Sequence, residues 1–359
     1  MVSINYISSL LLTIILFTSC EKNVETPAEN DGISEKLPLV SASGNKLFTE
    51  KDKEFKVWGF NWGRQDVMLE TYWTTNWDAL VKDFEEMKNY GANTVRVPLQ
   101  YHAFMKDVRT PDKQSLEKLK QLIKVAEENE LYLIVSGLNA FVKEDQPEWY
   151  SKLNDAQRWQ TQAIFWESVA SAIGQSPSIL SYDLMNEPVV AVDPSNGWLP
   201  GEGFGGFFFV QNIALYPDSS NEETMKKWIA KMSEAIRKQD KQHLITVGFL
   251  PFPGFSQYSD DLSQMSVHLY PKSNEENKDS EIIKKFKGSK PLVISEIFPM
   301  NCTVVELQHF IEKHNADVSG WVWHYNGKTL EELEKSGTMH DAVYRSALLK
   351  FIEMAPTQK

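Results

Sequence analysis

The chain has 359 residues, 42% of them apolar and 24% charged, a balance that excludes wholesale disorder. Its 37 Lys and Arg stand against 49 Asp and Glu, and a net charge of -12 argues against a binder of phosphate backbones, so no nucleic-acid partner is expected. Eleven Trp, 12 Tyr and 19 Phe exceed what a core requires, and some of them are expected to face a ligand.

The first segment reads as an export signal. Residues 1–20 carry no charged side chain, and the apolar run from Leu10 to Phe17 is too short to span a bilayer. Leu16-Phe17-Thr18-Ser19-Cys20 resembles a bacterial lipoprotein cleavage box. The resemblance implies a signal peptide over 1–19, cleavage before Cys20 and lipid on its sulfur. The expected location is therefore exported and lipid-anchored to a bacterial membrane. The competing reading is an ordinary signal peptide in which Cys20 has no role. Cys302 is the only other cysteine, so a lipidated Cys20 leaves it without a disulfide partner. Residues 20–38 are polar and contain Pro27 and Pro38, the composition of a flexible tether.

From residue 39 to 359 one pattern repeats: a short apolar run, a loop, then a segment of helical spacing. The eight runs are Phe55–Asn61, Thr94–Pro98, Leu131–Ser136, Leu180–Met185, Leu244–Phe249, Met265–His268, Leu292–Ile297 and Gly320–His324. Such runs suit strands buried on both faces. Helices are expected over Asp78–Tyr90, Leu116–Glu128, Ala156–Ile173, Glu222–Gln239 and Val304–Lys313, with Asp112 and Ser115 placed to cap the second. This alternation predicts a single (β/α)8 barrel domain. An open doubly wound sheet is disfavoured because no Gly-rich phosphate loop follows the first run. The connection 252–263 is too short for a full helix, and Asn45–Glu54 is expected to form a hairpin closing the barrel bottom.

In such a barrel the reactive groups lie where strands end. The second run ends Arg96-Val97-Pro98, the fourth leads into Asn186-Glu187-Pro188, the sixth ends at His268 before Leu269-Tyr270, and the seventh ends Ser295-Glu296-Ile297. Glu187 and Glu296 are thereby expected to face each other across the mouth. Two facing carboxyl groups suit cleavage of a glycosidic bond: one protonates the leaving oxygen, and the other meets the positive charge developing on the sugar carbon. The second must stay ionised, and Arg96 with the Tyr270 hydroxyl can supply the donors it needs.

The segments Trp58-Gly59-Phe60-Asn61-Trp62, Thr94-Val95-Arg96-Val97-Pro98, Leu184-Met185-Asn186-Glu187-Pro188, Val267-His268-Leu269-Tyr270-Pro271 and Val293-Ile294-Ser295-Glu296 resemble glycoside hydrolase family 5, the cellulase and mannanase family. The resemblance covers roughly 50–330. It implies Glu187 as acid/base, Glu296 as nucleophile and Asn186 as the contact to the sugar 2-hydroxyl. It further implies Arg96 and Tyr270 as holders of Glu296, His268 as a neighbour tuning Glu187, and Trp323, in preference to Trp321, as the platform under the sugar. The implied substrate is a β-linked gluco- or manno-configured poly- or oligosaccharide, and the implied reaction is double displacement by a monomer. Where many members carry His after the third strand, this chain has Ser136-Gly137-Leu138-Asn139, and Asn139 is expected to serve as a polar contact.

The stretch from Pro188 to about Ser220 is far longer than an ordinary connection. It holds Trp198, Phe204, Phe207, Phe208 and Phe209 among several glycines, and is expected to wall the cleft, with Trp198 stacking on a sugar. The opposite reading is a flap packed on neighbouring helices. Trp62, Arg64 and Trp73 are further cleft candidates. No metal or cofactor is expected, because the seven His are scattered without ligand spacing. The alternative to an enzyme is a cell-anchored barrel that holds glycan without cutting it. The presence of both carboxylates, with Asn186, Arg96 and Tyr270 beside them, favours the enzyme.

Overall fold

The computed structural model describes residues 37–49, 53–64, 67–201, 206–252 and 260–356. The expected signal segment, Cys20 and all but the last two residues of the tether lie outside them. Thirteen strands are present among the described residues: β1 Ser41–Ser43, β2 Lys46–Thr49, β3 Lys53–Phe55, β4 Val57–Asn61, β5 Thr94–Gln100, β6 Tyr132–Asn139, β7 Ile179–Asn186, β8 Pro188–Val190, β9 Gln211–Ala214, β10 Leu244–Phe249, β11 Met265–His268, β12 Leu292–Ile297 and β13 Gly320–His324. Strands β4, β5, β6, β7, β10, β11, β12 and β13 pair in parallel and close into a barrel, with helices in the connections. The eight expected runs are these eight strands, and the (β/α)8 architecture follows.

The five expected helices occur at Trp77–Asn89, Lys113–Glu128, Asp155–Ile173, Asn221–Arg237 and Val304–His314. The Asp112 carboxylate accepts from the Gln114 and Ser115 amides, satisfying donors that the first helical turn leaves free. Six further helices occur among the described residues: Leu69–Thr75, Tyr101–Phe104, Glu148–Ser151, Glu276–Phe286, Leu330–Ser336 and Met339–Met354. No helix occurs in the described part of the connection between β10 and β11.

Side chains alternate along each strand, one set facing the helices and the other the barrel interior. Val57, Tyr132, Ile134, Leu180, Leu244, Val293 and Val322 meet inside the lower barrel. The antiparallel sheet β1–β2–β3 closes this end, with Val40 and Leu47 fully buried against the same cluster. At the opposite end the interior is polar.

Candidate active site

Arg96 occupies the centre of the mouth and is 4% exposed. Its guanidinium donates from Nε to Asp183 at 2.8 Å, from Nη1 to Asn61 at 2.9 Å and Glu296 at 2.7 Å, and from Nη2 to Asn186 at 2.9 Å and Ser136 at 3.2 Å. A planar fork with five donors can brace several strands at once. Burial alone would weaken this cation, but Asp183 and Glu296 outweigh it and hold its pKa above the ordinary value.

Plain alternation would not bring these partners together. Val293 faces the barrel floor, and Ser266 donates to Ser295 inside the barrel, so the next residue of β12 should turn outward. The pairing of β12 with β13 shifts register between Ile294 and Ile297, and this irregularity brings Glu296 inward. In β7 the pairing with β10 jumps from Asp183–Thr246 to Asn186–Gly248, so two residues three apart both reach Arg96. Gly248 is needed at the crossing: a Cβ there would lie 2.6 Å from His268 Nε2 and 3.1 Å from Arg96 Nη2.

The two carboxyl groups sit in different surroundings. Glu296 accepts from Arg96 on Oε1 and from the Tyr270 hydroxyl on Oε2, with His268 Nδ1 at 3.5 Å and His324 Nε2 at 4.0 Å. Burial pushes its pKa up, but His268 and Arg96, with the Tyr270 hydrogen bond, win and hold it at about 2. Burial and the adjoining Glu296 push the Tyr270 phenol well above its ordinary pKa, so it stays a donor. Among the described residues the Glu187 carboxylate has one partner, His268 Nδ1 at 2.8 Å. Its backbone is left-handed at φ 45°, a conformation non-glycine residues adopt at a cost, and its amide donates to the Gly248 carbonyl at 2.9 Å. One oxygen of each carboxylate and one nitrogen of His268 lie within 4.8 Å of one another. These groups are engaged by protein donors: Arg96 and Tyr270 on Glu296, His268 on Glu187.

A family model for cellulase, glycosyl hydrolase family 5, matches residues 48–327. The chain belongs to glycosyl hydrolase family 5. It is 28% identical to an endoglycoceramidase from Hydra vulgaris over 118 residues, 30% of this chain and 20% of that one. It is 22% identical to mannan endo-1,4-beta-mannosidase A from Podospora anserina over 243 residues, 64% of this chain and 48% of that one. The chain thus spans half or less of the length of these curated relatives. The barrel is similar to a beta-glucanase from Saccharophagus degradans solved with cellotetraose, at a TM-score of 0.63 and 16% identity, covering 92% of this chain and 98% of the other.

Within this family frame, Glu187, Glu296, Arg96, Asn186, His268 and Tyr270 converge on one site. Three other expected residues do not present themselves to it as anticipated. Trp323 is 1% exposed and packs on Trp58 and on Phe351 of the C-terminal helix, while Trp321 packs on Phe310. Strand parity decides this: Val322 faces the interior, so 321 and 323 face the helices. The residue that β13 contributes to the mouth is His324, whose Nε2 lies 2.8 Å from the Tyr270 hydroxyl. Trp198 is not a free platform either. The guanidinium of buried Arg158 lies over its ring, and Tyr150 lies nearby. Burial pushes the Arg158 pKa down to about 9, and an aromatic face offers such a cation partial compensation. Asn139 is fully buried, donating to the Ser136 carbonyl and accepting from the Asn186 amide at 3.3 Å, so it supports Asn186 and does not face a sugar.

The stretch after Pro188 has structure of its own. β8 and β9 pair in parallel, the Trp159 indole donates to the Ile213 carbonyl, and Asp155 accepts from the Leu215 and Tyr216 amides. The Phe209 carbonyl accepts from Asn186 Nδ2 at 3.0 Å, and the residue is 38% exposed. This puts Phe209, from the aromatic set of that stretch, beside the site. Trp62 and Trp73 are buried, and Asp83 accepts from both the Trp62 indole and Arg64, so these candidates build the wall behind the cleft.

Sequence reasoning passed over Asp183, Asn61, Ser136 and His324. Asp183 carried a usable signal, since a lone carboxylate inside an apolar strand needs a buried partner. His324 was legible from parity with Val322.

Proposed function

We propose that this protein hydrolyses β-linked gluco- or manno-configured glycans by double displacement, with Glu296 as nucleophile and Glu187 as acid/base. The observation that carries the reading is the approach of one oxygen of each carboxylate to within 4.8 Å of the other. Retaining glycosidases hold these groups about 5 Å apart, whereas inverting enzymes need about 6.5 Å or more to admit a water between them.

In the first half-reaction a Glu296 oxygen attacks the anomeric carbon as Glu187 gives its proton to the leaving glycosidic oxygen. In the second, Glu187 takes a proton from water, which attacks the same carbon and frees Glu296. Arg96 and Tyr270 keep the nucleophile ionised and aimed. His268 orients Glu187. Asn186, with one amide hydrogen on Phe209, has its second for the sugar 2-hydroxyl. The names of two similar proteins, a mannan endo-1,4-beta-mannosidase and a beta-glucanase, support β-linked sugars as the class.

The test is product release from β-glucans, β-mannans and xylans by purified residues 21–359, with Glu296→Gln as the blank. Release by wild type alone is expected. Equal release by the variant would remove Glu296 from the chemistry, and no release from any glycan would favour the cell-anchored binding barrel. The Cys20 box supports export and lipid anchoring. Under that reading, fractionated cells should hold wild type in the membrane and a Cys20→Ser variant in the soluble fraction; the same membrane distribution for both would refute it.

A further inference from the structure

The expected indole platform on β13 is absent from the mouth, and an imidazole stands there. His324 is partly exposed, with its side chain 4.0 Å from the Glu296 carboxylate. Phe298 lies edge-on to its ring, and the ring is nearly parallel to that of Tyr270.

Donor counting fixes its protonation. The Tyr270 oxygen lies within hydrogen-bond distance of both Glu296 Oε2 and His324 Nε2. A phenol has one proton to give. Glu296 is ionised and accepts only, and a neutral phenol oxygen with no proton between it and a carboxylate would be repelled. The phenol proton therefore points to Glu296, and His324 Nε2 must carry the proton that completes the chain. Burial pushes His324 below its ordinary pKa despite the pull of Glu296, with His268 and Arg96 adding to the decrease. The ring is then neutral, and Nδ1 is left with a bare lone pair. Nδ1 has no hydrogen-bond partner among the described residues and is not sealed from solvent.

We propose that His324, as the neutral Nε2–H tautomer, locks the Tyr270 hydroxyl onto Glu296 and offers Nδ1 as an acceptor to one hydroxyl of the sugar undergoing cleavage. This rests on the glycosidase reading above. Strand β13 then reads the sugar through a hydrogen bond where the resemblance implies aromatic stacking. His324 is in this sense both a positioning residue, acting through Tyr270, and a reader of the sugar.

Two measurements test it. In wild-type protein labelled with 15N at histidine, the ring nitrogens of His324, assigned with a His324→Phe variant, should show a protonated Nε2 and a bare Nδ1 at neutral pH. A protonated Nδ1 would overturn the proposal whether or not the protein turns over. The second is a kinetic cycle on aryl β-cellobiosides and β-mannobiosides, deoxygenated one hydroxyl at a time on the ring bearing the aryl group. For one hydroxyl, deoxygenation should cost wild type about tenfold in kcat/KM and cost His324→Phe nothing, the size of one hydrogen bond. An equal penalty in both proteins at every position would overturn the sugar contact. Turnover absent from wild type and Glu296→Gln alike would refute the glycosidase reading itself, and the tautomer would still decide the Tyr270 lock.

Discussion

The floor and the mouth of this barrel are built from the same strands and held by different forces. At the floor, Val57, Leu180, Leu244, Val293 and Val322 pack against Leu47 and Val40 with no charge among them. At the mouth, one buried guanidinium holds two carboxylates and two amide oxygens, and β7 and β12, which supply three of these four partners, slip register to bring them in. Removing apolar area from water stabilises the floor and specifies little about its chemistry. Burying charges at the mouth costs desolvation that only its partners offset, so its geometry must be met closely. The difference teaches where each kind of substitution should register: in stability at one end and in turnover at the other.

That contrast can be broken most directly at the carboxylates. Glu296→Gln and Glu187→Gln should each lower kcat by roughly a thousandfold or more, the scale seen when one member of a catalytic group is removed. The melting temperature of Glu187→Gln should stay near wild type, because Arg96 keeps both of its carboxylates, Asp183 and Glu296, in that variant. Rates close to wild type in either would undo the assignment, and collapse of the fold would show that the mouth carries stability after all.

Asp183→Asn probes the joint between chemistry and stability. It leaves Glu296 as the one carboxylate on Arg96 among the described residues, beside the Asn61 and Asn186 oxygens. Breaking a buried pair costs about 3–5 kcal/mol, and a nucleophile moved by a fraction of an ångström should lose turnover as well. Loss of stability with kcat intact would mean that Asp183 serves the fold and not the orientation of Glu296.

At the floor, Val293→Ala should destabilise by about 1–3 kcal/mol through a lost contact and a residual cavity, with kcat and KM unchanged. Denaturant unfolding alongside steady-state kinetics checks this. A change in kcat would show that the two ends are coupled along β12.

The smallest effect concerns acid. The Glu296 pKa, held at about 2, lies below its ordinary 4.5. A depressed carboxyl contributes stability that is present above its unfolded value and is lost as pH falls through the folded one. The advantage of wild type over Glu296→Gln should therefore shrink as pH drops from 4.5 toward 2, and the acid limb of kcat/KM should sit below 4.5. A limb at or above 4.5 would contradict the bracing of Glu296 by Arg96 and Tyr270.

Much of the frame was legible in the sequence because buried parallel strands leave short apolar runs, here alternating with segments of helical spacing. Glu187, Glu296, Arg96, Asn186, His268 and Tyr270 were legible because each stands at or next to the end of such a run. The helix Glu276–Phe286 was missed because it is short and charged, with Ile283 and Phe286 as its buried apolar contacts. The position of Trp323 was misjudged because aromatic type was weighed above strand parity. Asn139 and Trp198 were misjudged for another reason: a polar or aromatic residue near a mouth can face either the ligand or a buried neighbour, and only packing decides. The backbone device that turns Glu296 inward was not legible, since it depends on a register shift in the pairing of β12 with β13.

The most direct test is the anomeric configuration of the first product, followed by proton NMR during hydrolysis of a soluble β-glucan or β-mannan. Carboxylates within 4.8 Å predict that the β-anomer forms first and then mutarotates. The α-anomer forming first would contradict direct attack by Glu296 and the account built on it.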